Sequence, residues 1–289
     1  MELVEYDRHR RTVDTQAGEI GYAEFGTGRT ALFVHGVGTG GSLWRNVISA
    51  LEGERRCLAV DLPLHGRTPA APGQDYSLTG LAASVEAFCV ALGLTDIDLV
   101  GQDTGGAVAQ IVAAHRPERL TTLTLTNCET RGDVPPRAFA PTVWLARARL
   151  LAPLTSRALT DLTKTRKRLF GTGYQDVEAL PLDVLRDWLE PLLGTPLARR
   201  EFQRWVASLR DRDLVAVDSA LRQLTVPTLL AWGTDDRFFP LSRARRLRDT
   251  IPGVRELVEI DGARLFYPEE RAADLVPHLR RHWAAYPAG

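Results

Sequence analysis

The segment 97–107 constrains the fold more than any other part of the chain. It begins as a short apolar run, continues as Gly101-Gln102-Asp103-Thr104-Gly105 and leads into a helical pattern. This is the spacing G-x-nucleophile-x-G between a strand and a helix, where a sharp turn needs small neighbours and exposes one side chain. We predict that Asp103 is that side chain and that it is catalytic. The alternative is an acidic N-cap of the following helix.

Strand and helix patterns alternate around this segment. Strands are predicted at 19–25, 31–34, 57–60, 97–100 and 120–126, and helices at 43–51, 78–92 and 107–114, with Ser77 and Gly93 at the ends of the second helix. This alternation predicts an α/β fold in which helices cover a mostly parallel sheet and reactive groups collect at the carboxyl ends of the strands. Residues 131–219 show helical patterns without a strand signal, and strands resume at 226–232 and 256–260. We therefore predict a core of 1–130 and 220–289 with a helical cap over 131–219.

Charge and cysteine content narrow the function classes. The 36 Lys and Arg residues balance the 36 Asp and Glu residues, which argues against a nucleic acid as partner. The charged N-terminus and the lack of a long apolar run predict a cytoplasmic protein without a membrane partner. Three cysteines without metal-ligand spacing suggest neither a disulfide framework nor a zinc site, so no metal or cofactor is expected. The expected partner is a small-molecule substrate, and the expected assembly is a monomer or homodimer.

Two more loops end predicted strands with candidate functional groups. In the segment His35-Gly36-Val37-Gly38, the amide of Val37 is expected to form an oxyanion hole with the amide of Thr104. His35 and Gly36 are expected near the substrate, with His35 as a loop residue rather than a base. In the segment 232–240, Asp236 would supply a carboxylate that orients a base.

Together these motifs resemble the α/β-hydrolase fold superfamily over essentially the whole chain. The loop 61–68 is similar to the D-x-P-G-x-G-x-S loop of that superfamily, with Leu64 in place of a glycine. With an aspartate at the sharp turn between strand and helix, the chain resembles the haloalkane dehalogenase and epoxide hydrolase branch. Members of that branch form an alkyl ester on the aspartate and release it with water activated by histidine. The resemblance implies that Asp103 is the nucleophile and Asp236 the acid, since G-x-x-D-x-x-x-P fits Gly233, Asp236 and Pro240.

The chain departs from this pattern at the base. The superfamily carries its histidine in a G-x-x-H-like segment after the last strand, and we assign that place in 260–270 to Arg264. A guanidinium stays protonated and cannot accept a proton from water. Arg264 is instead expected to pair with Asp103 or Asp236. His65 is a weak alternative base, and Glu129 is a stronger one, because a carboxylate with a raised pKa can act as a base; the alternative for Glu129 is a solvated loop acid.

The residues that would bind or protonate a leaving group also differ from the pattern of this branch. Dehalogenases hold the halide with a tryptophan after the nucleophile and a side-chain donor in the H-G-x-P loop, and the residues at these two positions here are Thr104 and Val37. Epoxide hydrolases use a pair of cap tyrosines, and Tyr174 is the one tyrosine in the predicted cap, so Tyr174, Tyr267 or Tyr76 would have to suffice as the acid. Cap residues Trp144 and Tyr174, with Phe238 and Phe239 after the acid, are expected to line an apolar substrate pocket.

These residues leave three functional hypotheses open. The first is a hydrolase of small hydrophobic epoxides or alkyl halides in which water activation is altered. The second is a cofactor-free lyase, isomerase or cyclase that uses Asp103 and Arg264. The third is a catalytically inactive member of the superfamily that binds a ligand.

Overall fold

An eight-stranded sheet forms the centre of the protein in a computed structural model that describes residues 1–287. The strands lie in the order β1-β2-β4-β3-β5-β6-β7-β8. β2 pairs antiparallel with β1 and β4, and the other pairs are parallel, which confirms the predicted α/β fold. The strands are β1 Arg10–Thr15, β2 Gly18–Phe25, β3 Thr30–Val34, β4 Arg56–Val60, β5 Ile97–Asp103, β6 Leu120–Cys128, β7 Thr228–Gly233 and β8 Val254–Ile260.

Helices connect these strands and pack on the sheet. One group consists of α3, α4 and α10, and a second of α2, α12 and α13. The helices before the cap are α1 Leu3–Asp7, α2 Arg45–Leu51, α3 Leu78–Ala91 and α4 Thr104–His115. Those of the cap region are α5 Ala140–Arg147, α6 Leu151–Leu154, α7 Leu162–Thr165, α8 Leu182–Leu193, α9 Pro196–Ser208 and α10 Arg212–Leu221, and those after it are α11 Ser242–Thr250, α12 Tyr267–Glu270 and α13 Ala272–Ala285.

The central parallel strands β3, β5, β6 and β7 are buried on both faces, as helices on either side of a sheet require. Every residue of β5 is buried, and α4 behind it is buried from Thr104 to Ala113. The predicted ends of α3 are confirmed, since the Ser77 hydroxyl accepts from the amide of Gly80 (3.0 Å) and Gly93 takes a φ of 60°. Helix α1 and strand β1 were not predicted, because both contain several charged residues and β1 lacks the alternation of apolar and polar residues that indicates a strand.

The chain between β6 and β7 forms helices and turns, in the region predicted as a cap. Its last helix, α10, packs on α3 and α4, so this helix extends the core. α8 is fastened to the core at Ser42, whose hydroxyl donates to Asp187 (2.7 Å) and accepts from the indole N–H of Trp188 (2.9 Å). Arg10 also donates to Asp187 (2.6 Å). Over residues 1–287, none of the helices combines the length and apolar character that a membrane span requires.

Candidate active site

The chain turns sharply at Asp103, the last residue of β5. Helix α4 begins at the next residue, and Asp103 has a φ of 54° and a ψ of −134°. A residue with a side chain holds this left-handed φ only where the surrounding structure requires it. At Gly105 a side chain would collide with the carbonyls of Val34 and His35, so α4 can approach β3 this closely only with glycine there. The strained turn presents Asp103 at the carboxyl end of the sheet.

Two backbone amides face the Asp103 carboxyl. β3 and β5 are parallel neighbours, so the loop after β3 lies beside the turn. The amides of Val37 and Thr104 lie next to the carboxyl and favour its ionised form, which opposes the effect of burial on its pKa. Gly36 is required next to them, because any side chain at this position would collide with Asp103. The two amides expected to form an oxyanion hole therefore lie together, already in contact with the predicted nucleophile.

Glu129 lies beside the same turn. It follows β6 directly, and the register of β5 and β6 pairs Asp103 with Cys128. The Thr104 hydroxyl donates to Oε1 of Glu129 (3.1 Å), whereas Oε2 has no hydrogen-bond partner within residues 1–287. Burial raises the pKa of Glu129 to about 7, and only 1% of the residue is exposed. The alternative of a solvated loop acid is therefore wrong.

The carboxyls of Asp103 and Glu129 influence each other. The pKa of Asp103 is raised well above its ordinary value, first by burial and then by the charges of Glu129 and Asp236. Two buried carboxyls that interact in this way resist simultaneous ionisation, so they titrate as a pair that can share one proton. Such a pair contains both an acid and a base.

Asp236 is held rigidly by β6 and β7. Asn127, near the end of β6, donates from Nδ2 to Oδ2 of Asp236 (2.7 Å), and its Oδ1 accepts from the amide of Gly233 (2.7 Å). The amide of Phe238 donates to Oδ1 of Asp236 (2.7 Å). Burial raises the pKa of Asp236 to about 6. These contacts fix the position of Asp236, but it does not itself line the cavity described below.

The expectation for Arg264 is wrong. Its Nε donates to Oδ2 of Asp235 (2.9 Å) and its Nη1 to the carbonyl of Tyr174 (2.8 Å), so it pairs with neither Asp103 nor Asp236. The residue that faces the cavity is Leu265, whose carbonyl accepts from the side chain of Gln102 (3.1 Å). Counted from Gly262, the G-x-x-H spacing falls on Leu265. The site therefore has neither an imidazole nor a guanidinium at the place of the base.

The two buried histidines of this region are neutral structural residues. The amide of Leu62 donates to Nε2 of His35 (3.0 Å), and the amide of Gly38 donates to Nε2 of His65 (3.2 Å). Both rings therefore carry their proton on Nδ1, which faces a backbone carbonyl. Burial lowers the pKa of His65 to about 4 and that of His35 well below its ordinary value. Since its acceptor nitrogen is occupied, His65 is excluded as a base.

An apolar cavity of about 300 Å³ lies above Asp103 and Glu129. Its volume is at the lower end of the range for small-molecule sites. Val37 and Gly38 line it from the core, together with Phe238 and Phe239, as expected. Most of the other lining side chains are apolar cap residues, among them Phe139, Leu151, Phe170, Leu189, Leu193 and Phe202.

Several residues expected at this cavity lie elsewhere. Trp144 is 65% exposed on the outside of the cap. His35 and Gly36 lie beneath the cavity without lining it, because the ring of His35 is turned to the 62–65 loop and Gly36 contacts Asp103. Tyr174 is buried against Phe266, outside the lining.

No tyrosine in the described part of the chain lines the cavity, so none is placed to act as the acid. The Tyr76 hydroxyl donates to Glu201 (2.9 Å), and that of Tyr267 donates to the carbonyl of Ala231 (3.0 Å). The carboxylate of Glu269 raises the pKa of Tyr174, as does burial. In residues 1–287, no group of three or more His, Cys, Asp or Glu side chains is arranged to hold a metal ion.

Sequence reasoning missed three residues of the site. Leu265 could have been found by counting the G-x-x-H spacing from Gly262. Asn127 is a polar residue at the end of a strand that is otherwise buried, which is a usable signal for a bridging side chain. Arg168, which also lines the cavity, gives no signal in the sequence, because it is one of four basic residues within 164–168 and such a run is typical of a solvated helix face.

Known proteins resemble this chain over most of its length. A protein family described as alpha/beta hydrolase fold matches residues 31–271. A pimeloyl-[acyl-carrier protein] methyl ester esterase from Aeromonas hydrophila is 29% identical over 244 residues, which cover 83% of this chain and 89% of the esterase. Haloalkane dehalogenase 2 from Mycobacterium bovis is 29% identical over 279 residues, which cover 92% of this chain and 91% of the dehalogenase.

Solved structures share the fold. The epoxide hydrolase CorEH without ligand superposes with a TM-score of 0.80 and 19% identity over 96% of this chain and 99% of that protein. A putatively ancestral haloalkane dehalogenase superposes with a TM-score of 0.77 and 22% identity over 95% of this chain and 99% of that protein. At these identities the likeness concerns the fold alone.

Proposed function

The chain belongs to the alpha/beta hydrolase fold family, and on that basis we propose that it hydrolyses small apolar epoxides through an ester formed on Asp103. One observation carries the proposal. Asp103, at the strained turn between β5 and α4, and Glu129, beside it, are buried carboxyls that face the same apolar cavity. One can attack a carbon atom while the other supplies a proton.

The first step forms the ester. An oxygen of ionised Asp103 attacks an epoxide carbon, the carbon–oxygen bond of the ring breaks, and Glu129 gives its proton to the leaving oxygen. Attack requires the form of the pair in which Asp103 is ionised and Glu129 carries the shared proton, and the amides of Val37 and Thr104 stabilise ionised Asp103 in that form. The products are a hydroxyalkyl ester on Asp103 and an ionised Glu129.

The second step returns the site to its starting state. Ionised Glu129 takes a proton from water, and the resulting hydroxide attacks the ester carbonyl. The oxyanion lies against the amides of Val37 and Thr104, which need not move to stabilise it. When the intermediate collapses, the ester bond breaks and the hydroxyl proton of the intermediate passes to the leaving alkoxide, so the diol departs from ionised Asp103. The proton taken from water remains on Glu129. Glu129 thus serves first as the acid, a role for which no tyrosine is placed, and then as the base, a role for which Leu265 stands at the position of the histidine.

The same geometry favours an epoxide over an alkyl halide. A halide leaves as an anion and is held by N–H donors, but the side chains at 37 and 104 are valine and threonine. No tryptophan lines the cavity within residues 1–287. An epoxide oxygen instead needs a proton, which protonated Glu129 can supply.

A single turnover in H₂¹⁸O tests the ester mechanism. With enzyme in excess over styrene oxide, the first diol should be unlabelled, and ¹⁸O should appear in the peptide that contains Asp103. Asp103→Asn should give no diol, and Glu129→Gln should reduce diol formation at least about 100-fold. Asp235→Asn is the control, because Asp235 pairs with Arg264 outside the cavity. Labelled diol in the first turnover, or no diol from any epoxide, would contradict the proposal.

A second candidate is a cofactor-free isomerase or lyase that uses the same pair to move a proton. Leu265 favours it, because this side chain offers a water molecule no partner at the place of the base. Arg264 has no part in such a reaction, since it lies outside the cavity. An isomerised product without ¹⁸O in Asp103 would support this candidate. A protein whose ligand binding persists in Asp103→Asn, and which never forms product, would be a catalytically inactive ligand-binding protein.

A further inference from the structure

Arg168 is the basic side chain that lines the cavity above Asp103 and Glu129. It is exposed, so it lies at the open end, whereas the two carboxyls are buried at the other end. The lining between them is mostly aromatic and aliphatic. The cavity therefore has a negative end, an apolar middle and a positive mouth.

The local structure explains why Arg168 remains available. Residues Arg166–Phe170 form one π-helical turn, a feature that often accompanies functional sites. Arg166 and Lys167 both pair with Glu178. Within residues 1–287, Arg168 forms neither an ion pair nor a side-chain hydrogen bond, although two neighbouring cations of the same turn are paired. Arg168 is thus the basic residue of this turn that lines the cavity and has no carboxylate partner among residues 1–287.

Electrostatics would orient a ligand in this cavity. An anionic group is repelled from the end that holds Asp103 and Glu129 and attracted by the guanidinium of Arg168. An arginine can bind a carboxylate through two parallel N–H donors. A molecule with a carboxylate at one end and an apolar body would place the other end of that body against Asp103.

We propose that Arg168 binds a carboxylate on the substrate, so that the substrate class is a short apolar molecule with a carboxylate at one end and the reactive group at the other. The identification of the reactive group as an epoxide rests on the proposed function. The carboxylate preference does not, because it follows from the charge distribution along the cavity.

Binding of an unreactive matched pair tests the preference. The ligands are 4-phenylbutanoate and 4-phenylbutan-1-ol, measured by titration calorimetry on the full chain at pH 7.5. The carboxylate should bind about fivefold more tightly than the alcohol, the size expected for an ion pair open to solvent. Arg168→Met should abolish this ratio and Arg168→Lys should keep part of it. Lys167→Met is the matched control, since Lys167 belongs to the same turn but does not line the cavity.

The result separates this inference from the proposed function. Equal binding of the two ligands, or a ratio that survives in Arg168→Met, would overturn the role of Arg168. A second experiment compares the kinetics of styrene oxide and 4-carboxystyrene oxide. We expect a lower KM for 4-carboxystyrene oxide, and this difference should be lost in Arg168→Met. A carboxylate preference in binding without turnover of either epoxide supports the inference and contradicts the function. Turnover of both epoxides with the same KM supports the function and contradicts the inference.

Discussion

The aliphatic side chain of Leu265 lines the cavity, and its backbone carbonyl accepts a hydrogen bond from Gln102, the neighbour of Asp103. A leucine can neither accept nor donate a proton, so in the mechanism that we propose a carboxyl activates the water molecule. Glu129 is suited to that task, because burial raises its pKa to about 7, near the pH at which a general base works best. The substitution at one position thus transfers a proton-transfer role to another residue in our proposal.

Leu265→His should speed hydrolysis of the Asp103 ester. The new imidazole would lie on the cavity, with Asp236 available to orient it. General base catalysis of this kind contributes about 10²- to 10⁴-fold, so we expect at least a tenfold shorter lifetime of the ester, followed by intact-protein mass spectrometry after rapid mixing with styrene oxide. Arg264→His is the matched control: it introduces the same side chain one residue away, where position 264 faces Asp235. An equal gain in both variants would contradict the assignment of position 265.

At the scale of elements, the ends of four parallel strands bring the site together. β3 leads into the loop of Val37, β5 ends at Asp103, β6 is followed by Glu129, and β7 leads to Asp236. The parallel register fixes these ends side by side, so residues far apart in sequence meet at one edge. Asn127 links the end of β6 to the end of β7, because its side-chain amide forms hydrogen bonds both with the backbone of Gly233 and with Asp236.

Asn127→Ala should therefore destabilise the protein and displace Asp236. It removes buried hydrogen bonds and leaves the Gly233 amide without its partner, which costs about 2–3 kcal/mol in the free energy of unfolding. Urea denaturation measures this loss. Thr124→Val is the control on the same strand, since the buried Thr124 hydroxyl has no partner among the described residues and its removal should be neutral or slightly stabilising. A loss below about 0.5 kcal/mol in Asn127→Ala would contradict the bridging role.

At the scale of the whole molecule, burial of these carboxyls links the site to stability. The pKa of Glu129 rises from 4.5 to about 7 and that of Asp236 from 3.8 to about 6, and the pKa of Asp103 is raised as well. Between the lower and the higher values, the folded protein binds more protons than the unfolded chain. The free energy of unfolding therefore falls as the pH rises through this window.

Removing two of the charges should flatten this dependence. Between pH 5 and pH 8 the melting temperature of the wild type should fall by about 4 °C more than that of the double variant Asp103→Asn, Glu129→Gln, as measured by scanning calorimetry. Asp61, whose pKa is also raised to about 6, is present in both proteins and cancels. Glu118→Gln, at a side chain that is 67% exposed, should keep the wild-type slope. If the melting temperature depends on pH in the same way in the wild type and the double variant, these two carboxyls do not lower the stability at high pH.

Much of this arrangement followed from sequence pattern. The turn 101–105 was identified because its glycines reflect close approach of α4 to β3, which leaves a local signature. Alternating strand and helix patterns predicted the α/β fold, since burial of a parallel sheet demands them. Leu64 stands where the related loop has a glycine, and it takes a φ of 75°, a left-handed value that favours glycine.

The sequence determined which groups are present: an aspartate at the turn, two further carboxyls after strands, and no histidine at the place of the base. Only the tertiary structure decided where these groups point. Residue 265 rather than residue 264 faces the cavity, Arg264 is held by Asp235, and Arg168 turns to the cavity while its neighbours bind Glu178. The reason is physical, because local spacing fixes backbone conformation, whereas the direction and protonation of a side chain depend on partners that are distant in sequence.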